Sequence, residues 1–307
     1  MRLKLSIFSC FVLIVATSCN KKAYLFTSFN EPADKGLRML YRYDGMKWDD
    51  LDTILLQPKV GGQKVMRDPS MVQGPDGTFH LVWTSSWRGD KGFGYASSKD
   101  LINWSEQQFI SVMDKEPTTV NVWAPELFFD EEEKQYLIIW ASCIPGRFER
   151  GIEEDSNNHR MYFTATKDFR TFSETKLFLD PGFSVIDAMI VRRAAKDYVL
   201  VLKDNTRPER NLKVAVADNP LGPWNNISKP FSEKFTEGPS VVKHKNEWLI
   251  YYDSYQKKIY EVMKTKDFVH FEDVTTTAQV PQGHKHGTIV QVNRKLVKQL
   301  VIKIKKK

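Results

Sequence analysis

Arg67-Asp68-Pro69-Ser70-Met71-Val72, then Phe79-His80-Leu81-Val82-Trp83, then Asp100-Leu101-Ile102-Asn103-Trp104 form one unit of this chain. An acid precedes a short apolar run. An apolar segment begins 11 residues after the acid, and an Asp with a trailing aromatic begins 21 residues after that. Apolar runs this short, bounded by Gly, Pro, Asp and Asn, read as strands separated by turns.

The same elements recur on both sides of this unit. The apolar strand returns at 24–27, 136–140, 198–202 and 248–252, so that successive strands start 55, 57, 62 and 50 residues apart. The Asp turn returns at Asp44, Asp168, Asp218 and Asp267; strand-to-Asp spacings along the chain are 20, 21, 32, 20 and 19. The long one contains a polar insertion, 145–158, which reads as a loop. Five units of about 50 residues, each with several short strands, predict an all-β fold: a five-bladed β-propeller. Helical periodicity is scarce. A further segment with the same pattern, at His286-Gly287-Thr288, comes at the end of the chain and has no full unit after it. It is expected to pair with the first strand at Tyr24. The ring then closes with both termini in one blade and no open edge there.

An acid or histidine stands ahead of each inner run: Asp68, Glu126, Asp187, Glu237 and His286. Innermost strands line the central channel, so these five residues are expected to converge from one equivalent position per blade. Each acid taken singly also suits a strand cap or a partner for backbone amides. Four carboxylates around one axis repel each other, however, and burial raises some of their pKa values. Stability gains nothing from that, whereas glycoside hydrolysis needs one carboxyl kept protonated and another kept ionised.

Arg67-Asp68-Pro69-Ser70, Trp123-Ala124-Pro125-Glu126, Ile186-Asp187-Ala188, Glu237-Gly238-Pro239 and His286-Gly287-Thr288, in this order and over nearly the whole mature chain, resemble the blade motifs of family 43 glycoside hydrolases. The resemblance implies an inverting enzyme acting on α-L-arabinofuranosides, β-D-xylosides or related galactose-containing glycans. It implies Asp68 as general base, Glu237 as general acid, and Asp187 as the group that raises the pKa of Glu237 and orients it. It also implies a calcium ion at the axis, held by His286 directly or through water. Ala188 stands where the family usually has proline. Trp87, Trp123, Glu126 and Arg207 are candidate substrate contacts, with Trp83, Asn205 and His159 as weaker ones; Trp83 suits core packing better. A retaining β-fructosidase or a glycoside phosphorylase would share the fold. The first normally has a further Asp-Pro motif near the N-terminus, and the second adds basic residues around the site; the sequence displays neither. A non-catalytic glycan-binding propeller is the reading from another class, and the presence of all three acids argues against it.

Composition narrows the class further. The chain has 307 residues, 41% hydrophobic and 27% charged, with 8 Trp, 11 Tyr and 19 Phe, which suits strands and stacking against sugar rings. The net charge of +7 includes a basic tail, Lys295, Lys298, Lys303, Lys305, Lys306 and Lys307, expected to be a solvated strand edge. No basic patch with aromatic interleaving is present, which argues against nucleic acid as a partner. Residues 1–19 read as a leader: Arg2 and Lys4, an apolar stretch over 5–15, then Ala16-Thr17-Ser18-Cys19. That ending resembles a bacterial lipoprotein signal with Cys19 lipidated. Cys143 is then left without a disulfide partner. The expectation is one propeller domain over 20–307, monomeric, lipid-anchored in the bacterial cell envelope. Its substrate would be an oligosaccharide or polysaccharide cut in exo mode, the 145–158 insertion walling off one end, with the membrane met only through the anchor.

Overall fold

The computed structural model describes residues 21–306. The leader and its Cys19 lie outside the described residues. The elements follow in chain order as β1 (Lys22–Ser28), β2 (Arg38–Arg42) and β3 (Asp49–Asp50); β4 (Arg67–Gln73), β5 (Phe79–Thr84), β6 (Gly92–Ser98) and β7 (Gln108–Ser111); β8 (Trp123–Asp130), β9 (Gln135–Cys143), β10 (His159–Thr166) and β11 (Lys176–Leu179); β12 (Val185–Ala194), β13 (Asp197–Asp204) and β14 (Asn211–Ala217); β15 (Thr236–His244), β16 (Glu247–Ser254), β17 (Ile259–Thr265) and β18 (Phe271–Asp273); then β19 (Ile289–Asn293) and helix α1 (Arg294–Ile304). They form five separate antiparallel sheets, the blades of a propeller. The last strand, β19, pairs with β1, Lys22 opposite Asn293 and Phe26 opposite Ile289, so the first blade holds both ends of the described chain. Gly287 makes this closure possible: a Cβ there would lie 1.8 Å from the Thr27 carbonyl oxygen.

The second strand of each blade is the apolar run seen in the sequence. β9 is buried at eight of its nine positions and β13 at seven of eight. Such strands read as continuous apolar runs because both faces meet a neighbouring blade, and no face is left for water. The Asp turn after the third strand is one device used three times. Asp100, Asp168 and Asp267 each accept two backbone N–H bonds through Oδ1, at 2.8–3.0 Å. Ser98, Thr166 and Thr265 accept the N–H of Leu101, Phe169 and Phe268, which take a left-handed conformation and tuck into the core. At Asp218 the device is absent. The fourth blade has three regular strands, flanked by an irregular run hydrogen-bonded through Asn225, Ser228 and Phe231. Pro223 and Pro230 interrupt that run, and proline cannot donate to a ladder.

The basic tail differs from expectation: Lys295, Lys298 and Lys303 lie in the helix α1, not on a strand edge. Val297 and Leu300 are buried, and Leu296, Val301 and Ile304 pack on the same core, a spacing of three and four residues. The Asn293 side chain caps its first turn by accepting from Lys295 N at 2.8 Å.

Candidate active site

In β4, β8, β12 and β15 the register with the second strand slips at the motif, between Arg67 and Ser70, Trp123 and Glu126, Ile186 and Met189, and Glu237 and Ser240. The first bulged residue has positive φ in every case: Asp68 +50°, Ala124 +46°, Asp187 +49° and Gly238 +59°. Bulges re-aim side chains, and here they turn the motif toward the axis. The five polar groups therefore do not occupy one equivalent position. Asp68 and Asp187 are bulge residues, Glu237 stands one residue earlier, and Glu126 stands two residues later. Non-glycine residues at such φ are strained, consistent with positions held for chemistry.

Asp68 accepts from Thr84 Oγ1 at 2.8 Å and lies 3.2 Å from His286 Nδ1. Burial alone would raise its pKa, but His286, Arg67 and Thr84 together hold it below the ordinary value, so it is ionised at neutral pH. Asp187 is 8% exposed and accepts from Gly238 N at 3.1 Å. Burial pushes it up to about 6, against the pull of His286 and Lys203 and with the push of Glu237 and Asp68. Glu237 meets Lys203 Nζ at 2.8 Å. Its burial acts upward, yet Lys203 together with His286 and Lys285 brings its pKa below the ordinary range. His286 is desolvated, which by itself lowers its pKa, but Asp187, Asp68 and Glu237 raise it to about 9, and the ring is a cation. Gly238 is required beside it: a Cβ would sit 2.4 Å from His286 Cγ.

Glu126 accepts from Thr288 Oγ1 at 3.0 Å, while its other oxygen is buried without a partner. Burial pushes it up to about 7. A carboxyl whose folded pKa exceeds its unfolded value costs stability as pH rises from its ordinary value through the folded one. Glu126→Gln therefore raises the melting temperature at pH 8 and leaves it unchanged at pH 4.5, with a gain of about 1–2 kcal/mol. Thermal melts at the two pH values check this.

Of the remaining candidates, Trp87 is 46% exposed and packs against Trp123, the rings tilted by 35° with centroids 4.6 Å apart. Trp123 Nε1 donates to the Trp87 carbonyl, and the Arg67 guanidinium lies 4.8 Å from the Trp87 ring centre. The two rings thus form a rigid aromatic face next to the motif that carries Asp68. Trp83 is fully buried core. His159 is also buried, stacked under Trp123 at 4.9 Å, and desolvation pushes its pKa down to about 4, so it is a neutral support and does not reach over the site. Asn205 donates to Asn157 at 3.2 Å, and Arg207 pairs with Glu154, both in the insertion. These bonds fasten the insertion to the fourth blade, and Arg207 is occupied by them.

His286 Nδ1 faces Asp68 at 3.2 Å, which leaves Nε2 as the ring atom toward any calcium ion, and calcium's six to eight oxygen ligands would then be mostly waters. Among the described residues no group of three His, Cys, Asp or Glu side chains is arranged to hold a metal. Sequence reasoning missed Lys203, Lys285 and Thr84. Lys203 is 3% exposed, and Lys285 pairs with Asp253 at 2.9 Å. The signal for Lys203 was a charge ending the apolar run 198–202.

A propeller whose inner bulges gather Asp68, Asp187 and Glu237 with the buried Lys203 and the partly buried His286 defines a site for acid–base chemistry. The sequence profile of a family described as a probable glycosyl hydrolase domain, related to family 43, matches residues 20–297, and the chain belongs to this family of O-glycosyl hydrolases. A curated α-L-arabinofuranosidase of Bifidobacterium longum is 24% identical over 102 residues; the match covers 30% of this chain and only 10% of that protein. Among solved structures, an α-L-arabinofuranosidase from Lactobacillus brevis superposes with a TM-score of 0.53 at 17% identity, covering 68% of this chain and 72% of that one. An exo-β-1,3-galactanase from Phanerochaete chrysosporium gives 0.53 at 15% identity over 67% of this chain and 49% of that one. A family 62 α-L-arabinofuranosidase domain from Coprinopsis cinerea gives 0.54 at 14% identity over 76% of each. At these identities the structural likeness speaks for the fold.

Proposed function

We propose that this protein is an inverting glycosidase that removes single terminal sugars from glycans with α-L-arabinofuranoside, β-D-xyloside or galactoside linkages. The observation that carries the reading is geometric: the inner-strand bulges bring Asp68, Asp187 and Glu237 together, with Asp187 accepting from Gly238 N at 3.1 Å next to Glu237 and Asp68 3.2 Å from His286 Nδ1. Asp68 takes the proton of the attacking water. Thr84 and His286 fix its orientation and keep its charge. Glu237 delivers a proton to the leaving oxygen. The charge of Glu237 adds to the burial that raises Asp187. In the state described here Lys203 draws Glu237 to the ionised form. Its protonation as general acid therefore belongs to acidic pH, or to a sugar-bound state in which Lys203 engages sugar hydroxyls.

The sugar class is supported by the family and by the arabinofuranosidases and galactanase of like fold. Exo action is supported by the insertion, which is fastened to the fourth blade by Asn157, Glu153 and Glu154. A bacterial envelope location with a lipid at Cys19 rests on the leader sequence. Trp87 supplies the sugar platform. Trp87→Ala raises KM by about 5- to 20-fold with kcat little changed, because stacking binds substrate and transition state alike; steady-state kinetics on an oligosaccharide check it.

The experiment is hydrolysis of aryl α-L-arabinofuranosides, β-D-xylosides and β-D-galactosides, and of arabinan and xylan oligosaccharides, by the wild type and by Glu237→Gln. Turnover of one class that collapses in the variant supports the reading. Silence on every substrate contradicts it.

A further inference from the structure

Residues 294–307 contain seven of the chain's 45 cations and none of its 38 acids, so the remainder is electrically neutral and the whole net charge of +7 resides in this segment. Helix α1 places Lys295, Lys298 and Lys303 on one face. Its apolar side, Val297, Leu300 and their neighbours, is used up against the first and second blades. Its lysines Lys295, Lys298 and Lys303 are exposed, as are Lys305 and Lys306 just beyond its end. Among the described residues only two acids pair with the segment: Asp44 with Arg294 at 2.9 Å and Asp100 with Lys303 at 3.6 Å.

Two features fix where this face points. Arg294 N donates to the Lys21 carbonyl at 2.9 Å, and Lys22 lies opposite Asn293, so the start of β1 and the start of α1 are side by side. Lys21 and Lys22 are exposed and extend the basic surface. The catalytic mouth is at the other end of the same strands, where Thr27 meets Gly287 and Thr288 beside His286. Five residues separate Lys22 from Thr27, about 17 Å of strand. The described chain therefore begins on the face opposite the mouth, next to the basic start of α1.

We propose that this basic face docks on a bilayer rich in anionic phospholipid. Lys21, Lys22, Lys295, Lys298, Lys305 and Lys306 rest against the headgroups, and the catalytic mouth is held toward the solvent. The occupant follows from charge complementarity and from the start of the described chain, Lys21 and Lys22, on this face. The inference rests on the envelope location above, but its electrostatics hold whether or not Cys19 carries lipid.

The test uses the chain from Asn20 onward, which contains all five blades and both closing strands, mixed with phosphatidylcholine vesicles with or without phosphatidylglycerol. The expected result is co-sedimentation with the anionic vesicles only, and release at high salt. Lys295→Gln/Lys298→Gln/Lys305→Gln weakens partitioning about a hundred-fold, roughly five-fold for each lysine, while hydrolysis of a soluble substrate is unchanged. Equal binding to both vesicles, no binding, or unaltered binding by the triple variant overturns the proposal. So does retention on immobilised polygalacturonate without vesicle binding, which reassigns the face to an acidic polysaccharide. Vesicle binding is read without substrate, so it stands apart from any failure of the hydrolase reading.

Discussion

Asp68→Asn lowers kcat/KM by about 10³-fold, within the range that general-base groups supply. The substitution is nearly isosteric. The amide oxygen still accepts from Thr84, and φ of +50° suits Asn as well as Asp. What disappears is the negative charge that His286, Arg67 and Thr84 keep on this carboxyl. An amide cannot take a proton from water, so the loss falls on kcat, and KM changes little. His286 also loses one of the charges that raise its pKa, so its titration moves down from about 9, which proton NMR reads. Activity within ten-fold of wild type would remove Asp68 from the chemistry.

Lys203→Met changes the pH profile. Lys203 is buried and holds Glu237 ionised at 2.8 Å. An opposite charge this close lowers a carboxyl by about 1–3 units, so its removal moves the alkaline limb of kcat/KM up by about 1–2 units. The sign follows from the role: a general acid works while protonated, and a higher pKa keeps it protonated to higher pH. Relative activity at pH 8 rises, and folding stability falls by about 1–3 kcal/mol because Glu237 loses its hydrogen-bonded countercharge, with His286 and Lys285 remaining. Lys203→Arg keeps the wild-type limb. If Lys203→Met melts early and yet its pH profile is unmoved, the lysine is structural only.

Much of this fold is legible in the sequence because each blade repeats the same physical problem. The second strand must be apolar on both faces, so 136–140 and 198–202 stand out as unbroken runs. The Asp turns at Asp100, Asp168 and Asp267 stand out because one carboxylate caps two amides. The bulges were not legible. Spacings of 10 or 11 residues from acid to strand hide the slip that puts Glu237 one position before the bulge and Glu126 two after it. Lys203 was hidden within a buried strand, since only the tertiary placement of Glu237 gives its charge a partner. In the tail, Val301-Ile302-Lys303-Ile304-Lys305 alternates like a strand. What decides for a helix is tertiary: Val297 and Leu300 pack into the core beside the closing strands β1 and β19, which the local pattern does not show.

The most direct measurement is the anomeric configuration of the first sugar released from the best aryl glycoside, followed by proton NMR in the first minutes of the reaction. An Asp68 that activates water opposite a Glu237 that protonates the leaving group predicts the inverted anomer, and an Asp68→Asn variant that forms neither anomer at an appreciable rate. A retained anomer would mean a covalent sugar intermediate, with Asp68 as nucleophile, and would contradict the account.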